Sequence, residues 1–397
     1  MKKLFYTLIV PLVMLTACNT FGTTPQTDTT ELWPAGEMME DGYVLYGYIN
    51  RSGKMVIKPQ FQHAETFSSG YALVSDEHYD DFYINTSGKK LSFKGNGSLF
   101  PFYYNFALYN ENLKYYYINT DFDYAFETTD DIRFDYCTMP KEGLIPYQRR
   151  FNNGRKVYSY MRANHSSKKL EINTKDTIVF AQAKEFIDGY ADVKSNNDTE
   201  DCWGIINTNL EYTLQPKNCE LRNIGNGLFE KTTTDSRQLI DYNGNVIIDD
   251  VSNYTILSFL EGEDMTTFHN SITGKYGFMD AKGNIAIQPQ YDFTLNFSEG
   301  YTVVGNNDEY LKLIDEHNNC VFTFDKDEDI EMLYVHNGLL LTNTFINDED
   351  GSYMLYRYRD TKGNVVYSWK DDNFPVLPCA PRRPQNSRPI KQISLGC

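Results

Sequence analysis

The side chains able to do chemistry are scattered along this chain rather than gathered. Six histidines, His63, His78, His165, His269, His317 and His336, show no spacing that would set two of them up as metal ligands. A nucleophile-elbow serine, a glycine-rich phosphate loop and a His-Glu-x-x-His pair are absent from the sequence. The run Asp325-Lys326-Asp327-Glu328-Asp329 has the acidity of a calcium loop. Ile330 stands where such a loop needs its turn glycine and His336 where it needs a bidentate glutamate, so a solvated loop is expected instead. No catalytic residue, metal site or cofactor is assigned, and the chain reads as non-enzymatic.

Cysteine chemistry is more specific. Lys2 and Lys3 precede an apolar stretch from Leu4 to Leu15, too short to span a bilayer and shaped like a secretory signal. Leu15-Thr16-Ala17-Cys18 follows, and it resembles the lipobox of bacterial lipoproteins. That resemblance implies cleavage between Ala17 and Cys18, acylation of Cys18 with palmitate-type chains, and attachment to a lipid bilayer. It places the protein in a bacterial cell envelope, and Asn19 rather than Asp favours the outer over the inner membrane. In that oxidising setting disulfides persist. A hairpin turn at Thr208 to Glu211 would set Cys202 opposite positions 217 to 219, which makes Cys202 and Cys219 a candidate disulfide. Cys137, Cys320, Cys379 and Cys397 cannot be paired from sequence.

The elements that carry these residues repeat. Residues 46–74 align without a gap on residues 276–304, sharing Tyr-Gly at Gly47 and Gly277, turn glycines at Gly53 and Gly283, Pro-Gln at Pro59 and Pro289, and Phe-Ser-x-Gly-Tyr at Gly70 and Gly300. The second landmark recurs at Gly70, Gly143, Gly189, Gly227, Gly262, Gly300 and Gly338, with spacings of 73, 46, 38, 35, 38 and 38. The gap of 73 hides a copy whose glycine is replaced, at Asn105-Phe106-Ala107. Two landmarks on one period define a tandem repeat.

Physically, each unit alternates apolar and polar residues, turns on a glycine, and returns as an antiparallel strand. Pro59 then ends that strand or makes it an edge. A short outer segment follows before Gly70 opens the next strand. The glycines after an aromatic, Gly47, Gly204 and Gly277, read as packing positions where a neighbouring backbone approaches closely.

These units resemble the WG repeat family, whose Trp-Gly pair stands here as Trp203-Gly204. The resemblance implies a tandem β-repeat body and no particular activity. The expected class is all-β, about nine repeats of three to four antiparallel strands, arranged as a β-propeller with an open β-solenoid as the alternative. The domain plan is a signal peptide at 1–17, a lipidated tether at 18–31, the repeat body at 32–370, and a Pro-rich basic tail at 371–397 that is expected to be disordered.

Charge narrows the partners. The chain carries 37 basic against 54 acidic residues. Setting aside Lys2, Lys3, Arg382, Arg383, Arg388 and Lys391 leaves 31 against 54, a body of net charge −23. Such a surface repels phosphate backbones, so nucleic acid is not expected as a partner. The leading expectation is a binding or scaffold lipoprotein presenting repeat loops to a protein or glycan. One alternative is a hydrolase or lyase with carboxylates converging in a propeller channel. Clustered carboxylates with shifted pKa values at one mouth would support it, and an even spread around a rim would remove its motive. The other alternative is a structural envelope component with no discrete ligand.

Overall fold

The computed structural model describes residues 31–372 apart from 41, 92, 128–131, 134–140, 165, 173–177, 197–201, 308 and 350. Cys18, the signal and tether up to residue 30, Cys137, and the tail with Cys379 and Cys397 lie outside the described residues.

Thirty-five strands and a single 3-10 turn at Lys141–Gly143 make up the described secondary structure. The strands form nine antiparallel sheets, each a meander in chain order. Blade 1 runs from Trp33 to Phe61 with three strands, the counterparts of the second, third and fourth strands of the other blades. Blades 2 to 9 have four strands each, spanning 63–91, 98–127, 132–172, 182–218, 220–248, 254–291, 293–323 and 329–371. Counted from the first strand of a four-stranded blade, the first and third turns lie at one end, and the second turn lies at the other.

The short segment after Pro59 is not an outer appendage of its own unit. It becomes the first strand of the next blade, His63–Ala64, paired to Tyr71–Ser75. Blade 8 repeats this with Phe293–Thr294 paired to Tyr301–Gly305. A two-residue strand has no periodicity to read, which is why only its neighbours were legible.

The interior is nine separate apolar clusters, each shared by two adjacent blades, rather than one pool. Tyr48, Ile57 and Phe61 of blade 1 meet Ala72, Val74 and Ile84 of blade 2. Trp203, Ile205 and Leu214 of blade 5 meet Leu221, Phe229 and Ile240 of blade 6. The ninth cluster joins the ends of the body: Trp33, Ala35 and Ile49 of blade 1 pack against Leu339, Tyr358 and Trp369 of blade 9. Tyr358 Oη donates to Pro34 O at 2.8 Å and Tyr367 Oη to Gly36 O at 3.1 Å across the same seam. The ring is therefore closed, a nine-bladed β-propeller, and no open sheet face needs a cap.

This sandwiching explains the sequence pattern. A middle strand lies between two neighbouring blades, so Ala72-Leu73-Val74 and Val303-Val304 are buried on both faces and read as runs. The fourth strands are half exposed and alternate, as in Met55–Phe61 and Ile285–Tyr291. Pro59, Pro216 and Pro289 sit on those edges, where a missing N–H blocks pairing with another chain. Third-strand tyrosines hook blade to blade: Tyr48, Tyr83 and Tyr160 donate to the carbonyls of Glu65, Phe100 and Lys184 at 2.7, 2.6 and 2.6 Å. A phenol gives apolar area and a satisfied polar tip at once, which suits the chain's 31 tyrosines.

Candidate docking face

The two ends of the ring are built differently. At the end holding the first and third turns, every turn is secured. The third turns open with Asn or Asp whose Oδ1 accepts the N–H groups two and four residues on, as at Asn50 to Ser52 and Lys54, 3.1 and 3.0 Å, and Asp280 to Lys282 and Asn284, 2.9 and 2.8 Å. Where the first residue is Asp, the fifth is Asn, and its amide donates to the second carboxylate oxygen: Asn245, Asn284, Asn319 and Asn364 do so at 2.8 to 3.0 Å. These bonds hold the Asp315 carboxyl below its ordinary pKa, led by the Asn319 amide. At Asp280 burial alone would raise it, and the Asn284 amide with the turn N–H groups outweighs that and lowers it. Gly53 and Gly283 fill the left-handed fourth position at φ 79° and 81°.

Except in blade 7, the first turns are two-residue hairpins with both residues left-handed, as Ser69 (54°) and Gly70 (84°), or Glu299 (55°) and Gly300 (77°). Their leading side chains staple each blade to the next. Ser69 Oγ accepts the Asn105 N–H at 3.0 Å, Glu142 accepts the Gly189 N–H at 2.7 Å, and Asp188 accepts the Asn226 N–H at 2.6 Å. Glu263 accepts the Glu299 N–H at 2.5 Å, and Glu299 accepts the Asn337 N–H and, at 2.7 Å, the Gly338 N–H. On this staple face Glu31 Oε1 lies 3.3 Å from His336 Nε2, beside the first turn of blade 9.

One staple position reaches across instead of along. Tyr104 of blade 3 donates to Glu261 of blade 7 at 2.5 Å. Burial, then the Glu261 bond and charge, then Glu142 and Glu185, push the Tyr104 hydroxyl well up. Glu142 is raised as well, chiefly by burial and next against the opposing bond from Gly189, with Asp188 adding to the rise. A cavity of about 30 Å³, room for one water, lies beside Glu142, Asp188 and Glu261. Among the described residues no group of three or more His, Cys, Asp or Glu is arranged to hold a metal ion.

The opposite face, formed by the second turns, carries exposed apolar tips. Leu113, Ile272, Tyr79 and Tyr43 are 92, 74, 73 and 61% exposed, the highest values of any large apolar residue described, and all four sit in second turns. Tyr310 in blade 8 and Phe345 in the long hairpin of blade 9 add to them. Exposed apolar residues occur elsewhere too, Leu333 at 56% among them, but the four most exposed share one end of the ring. The backbone sharpens the point. Leu113 is the second residue of a two-residue hairpin, after Asn112, and both are left-handed at 64° and 53°. That position favours glycine, and Tyr79 is left-handed too, at 61°. Folding gains nothing from an apolar side chain held in a strained backbone and aimed at water.

Other residues singled out from sequence take structural places. A Cβ on Gly277 would stand 2.6 Å from Ile287 O, and one on Gly204 2.7 Å from Leu214 O, because the fourth strand bulges toward each. Trp203 is buried with Lys184 Nζ 4.7 Å above its ring. Cys202 pairs with Asn218 and forms an isolated β-bridge with Cys219, and no disulfide joins Cys202, Cys219 or Cys320 in the structure. The acidic run at 325–329 is not wholly solvated, since Glu328 is buried and accepts Arg359 Nε at 2.8 Å, with Asp325 taking Arg359 Nη2 at 2.5 Å. Sequence reasoning missed the staples, the Tyr104–Glu261 contact and this pair.

Residues 46–77 and 276–310 match the family described as WG containing repeat. No curated protein sequence matches the chain. A solved structure described as the crystal structure of the eukaryotic initiation factor is similar at a TM-score of 0.54 and 13% identity, covering 86% of this chain and 96% of that one. The C-terminal WD40 domain of Sif2 is similar at 0.32 and 8% identity, over 68% and 84% of the two chains. At such identities the likeness concerns the fold alone. The chain thus carries WG containing repeats at two matched places and closes nine antiparallel blades into a β-propeller.

Proposed function

We propose that this protein is a non-enzymatic binding scaffold of the bacterial cell envelope, anchored through acylated Cys18 and presenting its second-turn face to a protein or glycan. The observation that carries the reading is the set of apolar tips, led by Leu113, held out on that one face. A membrane tether raises local concentration, so weak contacts at several tips suffice for capture.

The carboxylates of the staple face support the non-enzymatic reading too. Glu142, Asp188, Glu263 and Glu299 are spread over blades 4, 5, 7 and 8, and each is engaged by a backbone N–H of the following blade. A hydrolytic reading keeps one observation in its favour, the raised Glu142 beside Glu261. The test is crosslinking capture from intact envelopes with the Cys18 form and a Cys18→Ala form, alongside labelled-palmitate incorporation. Label on Cys18 and partners lost with Cys18→Ala are expected. An unlabelled protein that captures the same partners in both forms refutes the anchored scaffold.

A further inference from the structure

We infer that the docking face takes a polypeptide segment in which Lys or Arg is interleaved with apolar side chains, received along the arc of blades 8, 9, 1, 2 and 3. The inference rests on the docking-face reading and deepens it. Those five blades are consecutive around the closed ring, because blade 9 packs on blade 1. Their tips are Tyr310, Phe345, Tyr43, Tyr79 and Leu113. The described second-turn residues of the arc hold six carboxylates, Glu40, Asp76, Glu77, Asp80, Glu309 and Glu349, and no Lys or Arg.

Asp76 shapes its own turn by accepting the His78 and Asp80 N–H groups, and Glu309 pairs with Lys312 at 3.0 Å. Glu40, Glu77, Asp80 and Glu349 are exposed. Each blade of the arc thus offers an apolar tip with a carboxylate in or beside the same turn, although in blade 3 the flanking Glu111 is matched by exposed Lys114. A partner must satisfy both, which calls for cations spaced among apolar groups. Blade 4 marks the end of the arc. Its hairpin reverses the sign, with Arg150, Arg155 and Lys156 exposed around Phe151. A cationic segment is repelled there, so the arc has a defined boundary. A polyanion or an acidic protein would meet like charge over four of the five blades.

The test uses the full chain purified in detergent and a library of random displayed peptides, with an array of neutral oligosaccharides in parallel. Two variants accompany it. Tyr43→Ser, Tyr79→Asn and Leu113→Gly together remove three tips at sites compatible with their backbone. Glu40→Gln, Glu77→Gln and Asp80→Asn together remove charge alone. Enriched peptides are expected to be net positive with interleaved apolar residues, and the tip variant is expected to bind them about tenfold or more weakly. The charge variant should lose most of the salt dependence of binding. Neutral or acidic enriched peptides, or no enrichment, overturn the inference. Oligosaccharide binding that the tip variant abolishes, without peptide enrichment, overturns the polypeptide while leaving the docking face standing. Binding of any kind that the tip variant leaves unchanged removes the docking face itself.

Discussion

Replacing Leu113 by glycine should make the protein more stable, although it deletes a large apolar side chain. Leu113 is 92% exposed, so its removal forfeits almost no buried area, and the usual loss of roughly 25 cal/mol per Å² does not arise. Its φ of 64° is a left-handed conformation that costs an L-residue roughly 1 to 2 kcal/mol and glycine essentially nothing. Glycine gives back roughly 0.5 to 1 kcal/mol through the greater freedom of the unfolded chain. The net is a gain of about 0.5 to 1 kcal/mol, read as a higher urea midpoint at unchanged slope. Leu113→Ala separates the two causes, since it keeps the strained backbone and removes the side chain, and it should leave the midpoint where it was. Destabilisation of either variant by about 1 kcal/mol would mean that Leu113 contributes to folding. The claim that it is retained for contact with a partner would then lose its footing.

Four further outcomes follow from the same geometry. Glu299→Ala should cost about 1 kcal/mol by leaving the Asn337 and Gly338 N–H groups to water, and Glu299→Gln should recover roughly half in urea titrations. Gly277→Ala, whose Cβ would stand 2.6 Å from Ile287 O and 2.8 Å from Pro289 N, should cost about 2 kcal/mol. Gly262→Asn, in open space but at φ 80°, should cost less, about 1 kcal/mol, because asparagine tolerates the left-handed region better than other L-residues. The lowered pKa values of Asp241, Asp280, Asp315 and Asp360 give stability that is present at neutral pH and lost as pH falls through the folded-state values. Changing all four to Asn should therefore shrink the drop in urea midpoint between neutral pH and about pH 3.

Much of this fold was written locally, and the parts that were not depend on closure. Tyr-Gly at Gly277 and the turn at Gly283 mark the third strand and its return because both are demanded within one blade, by the approach of Ile287 O and by a positive φ. Asn105 standing in for the landmark glycine was readable for the same reason, and it is left-handed at 70°. The staples were not readable, since Glu299 means nothing until the next blade brings Asn337 and Gly338 beside it. Tyr104 and Glu261, 157 residues apart, meet only because nine blades bend into a ring. Glu328 looked solvated until Arg359, from two strands further on, covered it. The docking face did leave a local trace: Asn112-Leu113 stands where a hairpin calls for Asn-Gly.

Which end of the ring meets a partner decides what this protein does. Site-specific photocrosslinkers placed in intact cells at positions 79, 113 and 272 on the second-turn face, and at positions 54, 245 and 282 on the staple face, put that to the test directly. Adducts from the first three positions and none from the second three are the expected result. Adducts confined to positions 54, 245 and 282, or formed equally at both ends, would contradict it.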